Sequence, residues 1–358
     1  MKRKNRMVDT QKFHKWQEDF HTDMPNFKDT NLVWLGASSF EKRCLGSLQE
    51  RLPSFLKAAL VLEYHTRLYP KEKGEKLRAE HHRKMLEFIK HQEHEILIKN
   101  YAVNPYSPRS LRVAMESFEH NLREKLNLAV YDLVVDISCL TKIHTVYAIL
   151  WCLRNVQISN LWIAYSLPED YESPRALRRS NPFGWNSVAS HPLIVSKLGS
   201  LGQPKSEFSY GIFLAGHEGD RTRAARNGKV IDVIDLVIAL TPDDIWLEDK
   251  ARSEHEDLMR EISRKGKLGW KLSEWPKLDA LGFGDQILTR LENFRRKKKE
   301  ESLRLYFVPL GPKSLILGAI VAFSKVKEID VNVLYPVPAG YDTNYTVGLK
   351  RTYWIMIK

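Results

Sequence analysis

Cysteine is scarce in this sequence. The three cysteines are Cys44, Cys139 and Cys152, and none forms a CxxC pair. A disulfide framework or a cysteine zinc site needs more cysteines at closer spacing. We therefore expect neither, and a reducing cytoplasm is the expected location.

Long apolar runs are also missing. The longest, at residues 314–323, falls short of the roughly 18 residues that a membrane helix needs. The basic residues 1–6 are not followed by an apolar stretch, as a signal peptide would require. The expectation is a soluble protein with no membrane partner.

Several catalytic and cofactor signatures are absent. The sequence contains no GxGxxG dinucleotide fingerprint, no Walker A loop, no GxSxG elbow and no HExxH motif. His91 and His94 stand three residues apart on a charged helix, a spacing that fits a metal pair less well than a solvated helix face. We expect no cofactor and no metal site.

Positive charge is what the sequence does have. Its 358 residues carry a net charge of +12, and 43% are hydrophobic, which suits a globular chain with an anionic partner. Nucleic acid, nucleotide phosphates and acidic lipid all fit, as does a merely soluble basic protein. The basic run at residues 295–299 could contact nucleic acid or simply be solvated.

Apolar strands alternate with helical segments along the chain. Strands are predicted at residues 31–35, 131–137, 161–166, 210–216, 230–240, 303–309 and 330–335. Helices are predicted at about residues 47–69, 71–99, 110–125, 143–154, 248–265, 285–301 and 315–324. This alternation predicts an α/β fold whose mainly parallel sheets are flanked by helices.

The two halves of the chain share three sequence anchors in the same order. VWLGASSFEKR corresponds to IFLAGHEGDRTR, VVDISCLTKIHTVYAI to YFVPLGPKSLILGAI, and AYSLPEDY to LYPVPAGY. Such repetition predicts two tandem Rossmann-like units. We divide the chain into an N-terminal arm (1–30), a first unit (31–172), a linker or excursion (173–208) and a second unit (209–358).

The loops that follow the strands are the expected ligand sites, because ligands of parallel α/β sheets bind beyond the carboxyl ends of the strands. Small residues let backbone amides approach phosphate, and a following helix adds its positive end. Plain turns with helix N-caps are the alternative. The candidate ligand-binding residues are Gly36, Ser38, Ser39, Arg43, Ser138, Thr141, Lys142, Gly216, Glu218, Arg221, Gly311, Lys313 and Ser314.

The stretch DISCLTK, residues 136–142, resembles the Asp-x-(Thr/Ser)-Gly-Gly-Thr-Lys signature of CRISPR-associated Rossmann fold (CARF) sensors, with Cys139 and Leu140 in place of the glycines. SAVED domains, which look like two fused CARF units, are similar in arrangement. The resemblance implies a pocket for a cyclic or linear oligonucleotide and a role in prokaryotic antiviral defence. It implies that Ser138, Thr141, Lys142, Lys313 and Ser314 line that pocket, with residues 36–39 and 216–219 as the other wall.

Three functions remain open. The first is a nucleotide or oligonucleotide sensor that acts through a protein effector partner. The second is a nucleotide-processing, phosphodiesterase-like enzyme that uses Glu41, Arg43, Asp136 and Asp220. In it, the Glu41–Arg43 pair is matched by Asp220 with Arg221 or Arg223, although an acid in a helix first turn beside a solvated arginine is the simpler interpretation. The third is a scaffold subunit of a defence complex.

Overall fold

Two six-stranded sheets organise the chain in the computed structural model. The structure describes residues 20–49, 52–64, 73–90, 92, 94–171, 208–227, 229–241, 245–266, 269–298, 303–326, 329–336 and 346–358, together with the backbone of 193–197. Parts of the predicted arm and excursion, and His91, Pro338 and Tyr341 of the sequence patterns, lie outside the described residues.

The first sheet has the strand order β14-β5-β4-β1-β2-β3, in which β1 to β5 are parallel and β14 is antiparallel to β5. Its strands are β1 (Leu32–Ser38), β2 (Leu56–Tyr64), β3 (Leu97–Val103), β4 (Tyr131–Asp136), β5 (Ile158–Leu167) and β14 (Arg351–Met356). Its helices are α1 (Lys73–Lys90), α2 (Pro108–Leu126) and α3 (Lys142–Arg154), and 3-10 helices span Lys42–Leu48 and Leu52–Phe55.

The second sheet repeats this order as β10-β9-β8-β11-β12-β7, with β7 antiparallel to β12. Its strands are β7 (Leu193–Lys197), β8 (Ser209–Leu214), β9 (Val233–Leu240), β10 (Lys271–Pro276), β11 (Leu303–Pro309) and β12 (Ile329–Tyr335). Its helices are α4 (Gly219–Arg226), α5 (Ile245–Glu254), α6 (Glu256–Lys265), α7 (Ala280–Lys298) and α8 (Lys313–Lys325). The remaining strands, β6 (Asp170–Tyr171) and β13 (Thr346–Val347), pair with each other.

The expectation of two Rossmann-like units with mainly parallel, helix-flanked sheets is confirmed. All residues of β1, β4 and β8 are buried, as continuous apolar strands inside a parallel sheet should be. The strand order is the same in both halves, so β1 corresponds to β8, β4 to β11 and β5 to β12, as the sequence anchors align them.

The helix predicted at about residues 47–69 is wrong. The segment holds the 3-10 helix Leu52–Phe55 and then β2, whose sequence LKAALVLEY is almost entirely buried. A strand that is covered on both faces lacks the alternation of apolar and polar residues that would distinguish it from a buried helix. The leucines and alanines of β2 also have high helix propensity. The helix predicted at 71–99 ends early, at Lys90, and β3 follows it.

The predicted division of the chain remains a prediction, but its second unit needs one correction. Strand β14, at the end of that unit, lies in the first sheet beside β5. Trp354 of β14 is completely buried and exchanges two backbone hydrogen bonds of 2.8 Å with His21. The end of the predicted N-terminal arm and the last strand of the chain therefore both belong to the first half.

Helices α3 and α8 pack against each other and join the two halves. Each begins directly after a lysine-containing loop, at Lys142 and Lys313. Their contact therefore brings the two loops together. None of the helices in the described part of the chain is long and apolar enough to cross a membrane.

Candidate functional site

A cavity of about 230 Å³ lies where the carboxyl ends of the two sheets meet. Loops from both halves line it, so the predicted sites form one composite pocket. The predicted residues that line it are Ser39, Arg43, Thr141, Lys142, Gly216, Glu218, Arg221, Gly311 and Lys313.

The other four candidate residues are not part of the lining. Gly36 lies within β1, where an added Cβ would collide with the Trp34 ring. The Ser38 hydroxyl donates to the Leu62 carbonyl at 3.3 Å, the Ser138 hydroxyl accepts from the Ser166 amide at 2.7 Å, and the Ser314 hydroxyl donates to the Lys277 carbonyl. The three serine hydroxyls thus form hydrogen bonds within the protein, away from the lining of the cavity.

The first charged cluster of the cavity comprises Arg43, Glu41 and Lys313. Arg43 donates to Glu41 Oε2 from Nε at 3.1 Å and from a terminal nitrogen at 2.5 Å. Lys313 Nζ reaches across from the second half and donates to the Ser138 carbonyl at 2.6 Å. Thr346 Oγ1 donates to the same Glu41 oxygen at 2.6 Å.

The second charged cluster repeats the first with Arg221, Glu218 and Lys142. Arg221 donates to Glu218 Oε2 at 3.0 Å, and to the Pro336 carbonyl from two nitrogens at 3.0 and 2.7 Å. Lys142 Nζ reaches across from the first half and donates to the Leu310 carbonyl. Each cluster therefore combines an arginine–glutamate pair from one half with a lysine from the other.

Both lysines are buried among other cations, which disfavours their charged forms. Burial, and then the charge of Arg221, lower the pKa of Lys142 to about 7. Burial, and then the charge of Arg43, lower the pKa of Lys313 to about 8. An anion placed between the clusters would oppose this effect and favour the charged forms of both lysines.

Glu41 remains the ionised counterion of Arg43. Burial alone would raise the pKa of Glu41, but Arg43 and the Thr346 hydroxyl outweigh it and the pKa is lowered. Each arginine–glutamate pair is close to neutral overall. The surplus positive charge of the cavity therefore comes from the two lysines and from Lys277, which also lines it.

Thr141 lines the cavity, but its hydroxyl proton is used inside the first half. The hydroxyl donates to the Pro105 carbonyl at 2.7 Å and accepts from the His144 amide at 3.3 Å. It is therefore the N-cap of α3. The Thr141 amide donates to the Tyr64 hydroxyl at 3.2 Å, which fixes the loop against β2.

The acids of the proposed enzyme do not come together. Asp220 is exposed, pairs with Arg223 and does not line the cavity. Asp136 is buried, accepts from the Ser47 hydroxyl at 2.5 Å and the Ser138 amide at 2.9 Å, and burial raises its pKa. The acid that matches Glu41 is Glu218, and the matching arginine is Arg221, which replaces the predicted match with Asp220.

Sequence reasoning missed several lining residues, among them Lys277 and Tyr64, whereas His217 lies in the predicted wall at residues 216–219. Lys277 follows β10 and Tyr64 ends β2, and neither strand was predicted. The rule that ligands bind after strands would have identified both once these strands were recognised. Within the described residues, no group of histidine, cysteine or acidic side chains is arranged to hold a metal ion.

No protein-family model matches this chain, and no curated protein is detectably similar to it. Among solved structures, the chain is similar to a Type III CRISPR defence DNA nuclease activated by cyclic oligoadenylate, with a TM-score of 0.47 and 10% sequence identity. The match covers 85% of this chain and spans 66% of the nuclease chain.

Proposed function

We propose that the cavity binds a ligand of the nucleotide class that carries at least two phosphates. The observation that carries this proposal is the pair of crossed clusters, each with an arginine and a lysine directed at one cavity. Guanidinium and ammonium groups are the usual phosphate ligands of proteins. Two such clusters in one cavity suit two phosphates of one molecule.

A cyclic oligonucleotide is the form of ligand that we favour. Its phosphates are arranged around a ring, which matches clusters related by the internal repeat. The resemblance of the DISCLTK loop to CARF sensors points to the same class. In this proposal the chain is a sensor in antiviral defence that transmits binding to a protein partner.

The direct test is a thermal-shift panel of cyclic and linear oligonucleotides, with mass spectrometry of any nucleotide that co-purifies. A ligand at 100 times its dissociation constant adds about 2.7 kcal/mol to the stability of the folded state. We expect a shift for at least one member and its loss in Lys142→Met and Lys313→Met. The matched control is Lys57→Met, because Lys57 is exposed at the opposite end of β2. No shift with any member, and no co-purified nucleotide, would refute the proposal.

A further inference from the structure

The cavity is not symmetric, although its charged clusters are. On the second half it extends past the loop after β8 to the end of β9 and to helix α5, whose Leu247 and Ala251 line it. On the first half the corresponding helix is α1, and no described residue of α1 lines the cavity. Instead α1 packs against the 3-10 helix Lys42–Leu48, and His81 Nδ1 donates to the Ser39 carbonyl at 2.9 Å.

The repeats differ in side-chain size at two positions on this side of the cavity. Leu35 pairs with Leu60 in the first sheet, and its counterpart Leu214 pairs with Val237 in the second. Counting forward along β2 and β9 from these pairs, Leu62 corresponds to Ala239 and Tyr64 to Thr241. At these two positions the second half has the smaller side chain.

The additional space is an apolar recess, defined by Ala215, Ala239, Leu247 and Ala251, with Thr241 and His217 also lining this side of the cavity. The side chains of Ala215, Ala239, Leu247 and Ala251 offer a phosphate no hydrogen-bond donor in place of its hydration. A flat, mostly apolar ring with polar edges loses little hydration free energy when it is buried there. The recess and the second charged cluster belong to one cavity, which both His217 and Glu218 line.

His217 lines this side of the cavity as a neutral imidazole. Burial, and then the charge of Lys142, lower its pKa to about 3. A neutral imidazole has one N–H donor and one nitrogen acceptor, which matches the mixed donor and acceptor edge of a nucleobase rather than an anion.

We propose that this recess binds one nucleobase of the ligand, so that the ligand sits with one base buried in the second half and none in the equivalent place of the first. The inference rests on the proposed function, since the phosphates of the same ligand occupy the clusters. It adds that the second half recognises a nucleobase of the ligand and the equivalent place in the first half does not.

The test compares nucleoside triphosphates with inorganic tripolyphosphate, which has the phosphates but no base. Affinities of ATP, GTP, CTP, UTP and tripolyphosphate are measured by calorimetry for the wild type and for Ala251→Leu, which fills the recess. The control is Ser253→Leu, which places the same side chain on the exposed face of α5. Thr241→Tyr, which copies the first half, serves as a second filling variant should Ala251→Leu not fold.

We expect at least one nucleoside triphosphate to bind the wild type more tightly than tripolyphosphate does. Overfilling a packed site costs enough that Ala251→Leu should weaken that nucleotide roughly tenfold or more. Tripolyphosphate binding should be unchanged, and Ser253→Leu should have no effect on either.

Two results would overturn the inference while leaving phosphate binding intact. In one, no nucleoside triphosphate binds the wild type better than tripolyphosphate. In the other, the filling variants leave nucleotide binding unchanged or weaken nucleotide and tripolyphosphate equally. If none of the five compounds, and no oligonucleotide of the thermal-shift panel, binds the wild type, the proposed function itself fails.

Discussion

At the scale of single residues, the crossed lysines are the most unusual feature of the molecule. Each extends its ammonium group into the opposite half and donates to a loop carbonyl, Lys142 to Leu310 and Lys313 to Ser138. A buried lysine in such a place loses hydration that one carbonyl only partly replaces. The chain keeps two of them within one cavity, and their titration is therefore a direct probe of the site.

The first prediction concerns the stability of the ligand-free protein. Lys142 releases its proton near pH 7 when folded but only near 10.5 when unfolded. Between these values the unfolded chain binds more protons, so stability rises with pH. Below the folded-state pKa the cost of the buried charge is fully present, and above the unfolded-state pKa it vanishes.

Urea unfolding from about pH 6 to about pH 9.5 measures this dependence. Lys142→Met should show a shallower rise than the wild type, and Lys57→Met the same rise. Equal slopes in all three proteins would show that Lys142 keeps its proton on folding.

The second prediction is that ligand binding takes up protons. An anion beside the lysines raises their pKa values again, so at about pH 8 the complex holds protons that the free protein lacks. Calorimetry in buffers of different ionisation heat should give different binding enthalpies at that pH. The difference should shrink at about pH 6, where both lysines are already charged. Binding enthalpies that do not depend on the buffer at about pH 8 would contradict the predicted proton uptake.

At the scale of secondary structure, the close approach of α7 and α8 supports the second lysine loop. An added Cβ at Gly318 of α8 would overlap the carbonyl of Ala280 at the start of α7, and one at Gly284 would lie 2.6 Å from the Gly318 carbonyl. The two helices are in backbone contact there. Because α8 begins at Lys313, the distance between α7 and α8 fixes the position of the Lys313 backbone.

The third prediction follows from this contact. Gly318→Ala should destabilise the protein by roughly 1–3 kcal/mol, because rigid backbone has to move to admit the methyl group. Gly266→Ala is the control, since Gly266 ends α6 in helical geometry and nothing lies within 4 Å of its added Cβ. It should be neutral or stabilise by about 0.5–1 kcal/mol. Denaturant unfolding measures both, and a neutral Gly318→Ala would show that α7 and α8 can separate freely.

Strands with a clear apolar pattern were predictable from the sequence, and strands without one were not. The strand predicted at 303–309 coincides with β11, and the helix predicted at 143–154 with α3 to within a residue. Strand β10, by contrast, is an edge strand with the half-exposed sequence KLSEWP, so burial imposes no clear period on it. Because β10 was missed, Lys277 was missed with it.

The site was predictable in its loops but not in its pairing. Lys142 and Lys313 follow from the position of loops after β4 and β11. Each lysine donates to a carbonyl of the opposite half because of how α3 and α8 pack, and short sequence motifs do not encode that packing. The same holds for Ser138, whose pattern suits a ligand but whose hydroxyl is used to hold Ser166.

At the scale of the whole molecule, each sheet is completed by an antiparallel strand that lies outside its βαβ series. Strand β7 precedes the second series, and β14 follows it in sequence yet completes the first sheet. Trp354 of β14 packs edge-on against Phe27 at a centroid distance of 6.2 Å. The far end of the chain thus stabilises its beginning.

The fourth prediction tests this dependence. Trp354→Ala should cost about 3–5 kcal/mol, as for other large side chains removed from a core. Met356→Ala on the same strand should cost little, because Met356 is half exposed. Calorimetric unfolding should show the loss, and a loss of less than about 1 kcal/mol in Trp354→Ala would contradict the role of β14.

The position of β14 also sets an order of assembly on the ribosome. Every strand of the second sheet is synthesised before β14 emerges, so that sheet can close while β5 still has an open edge. An open edge invites pairing with other chains. The edge of β5 in the nascent first half therefore stays unpaired until the whole second half and then β14 have been synthesised.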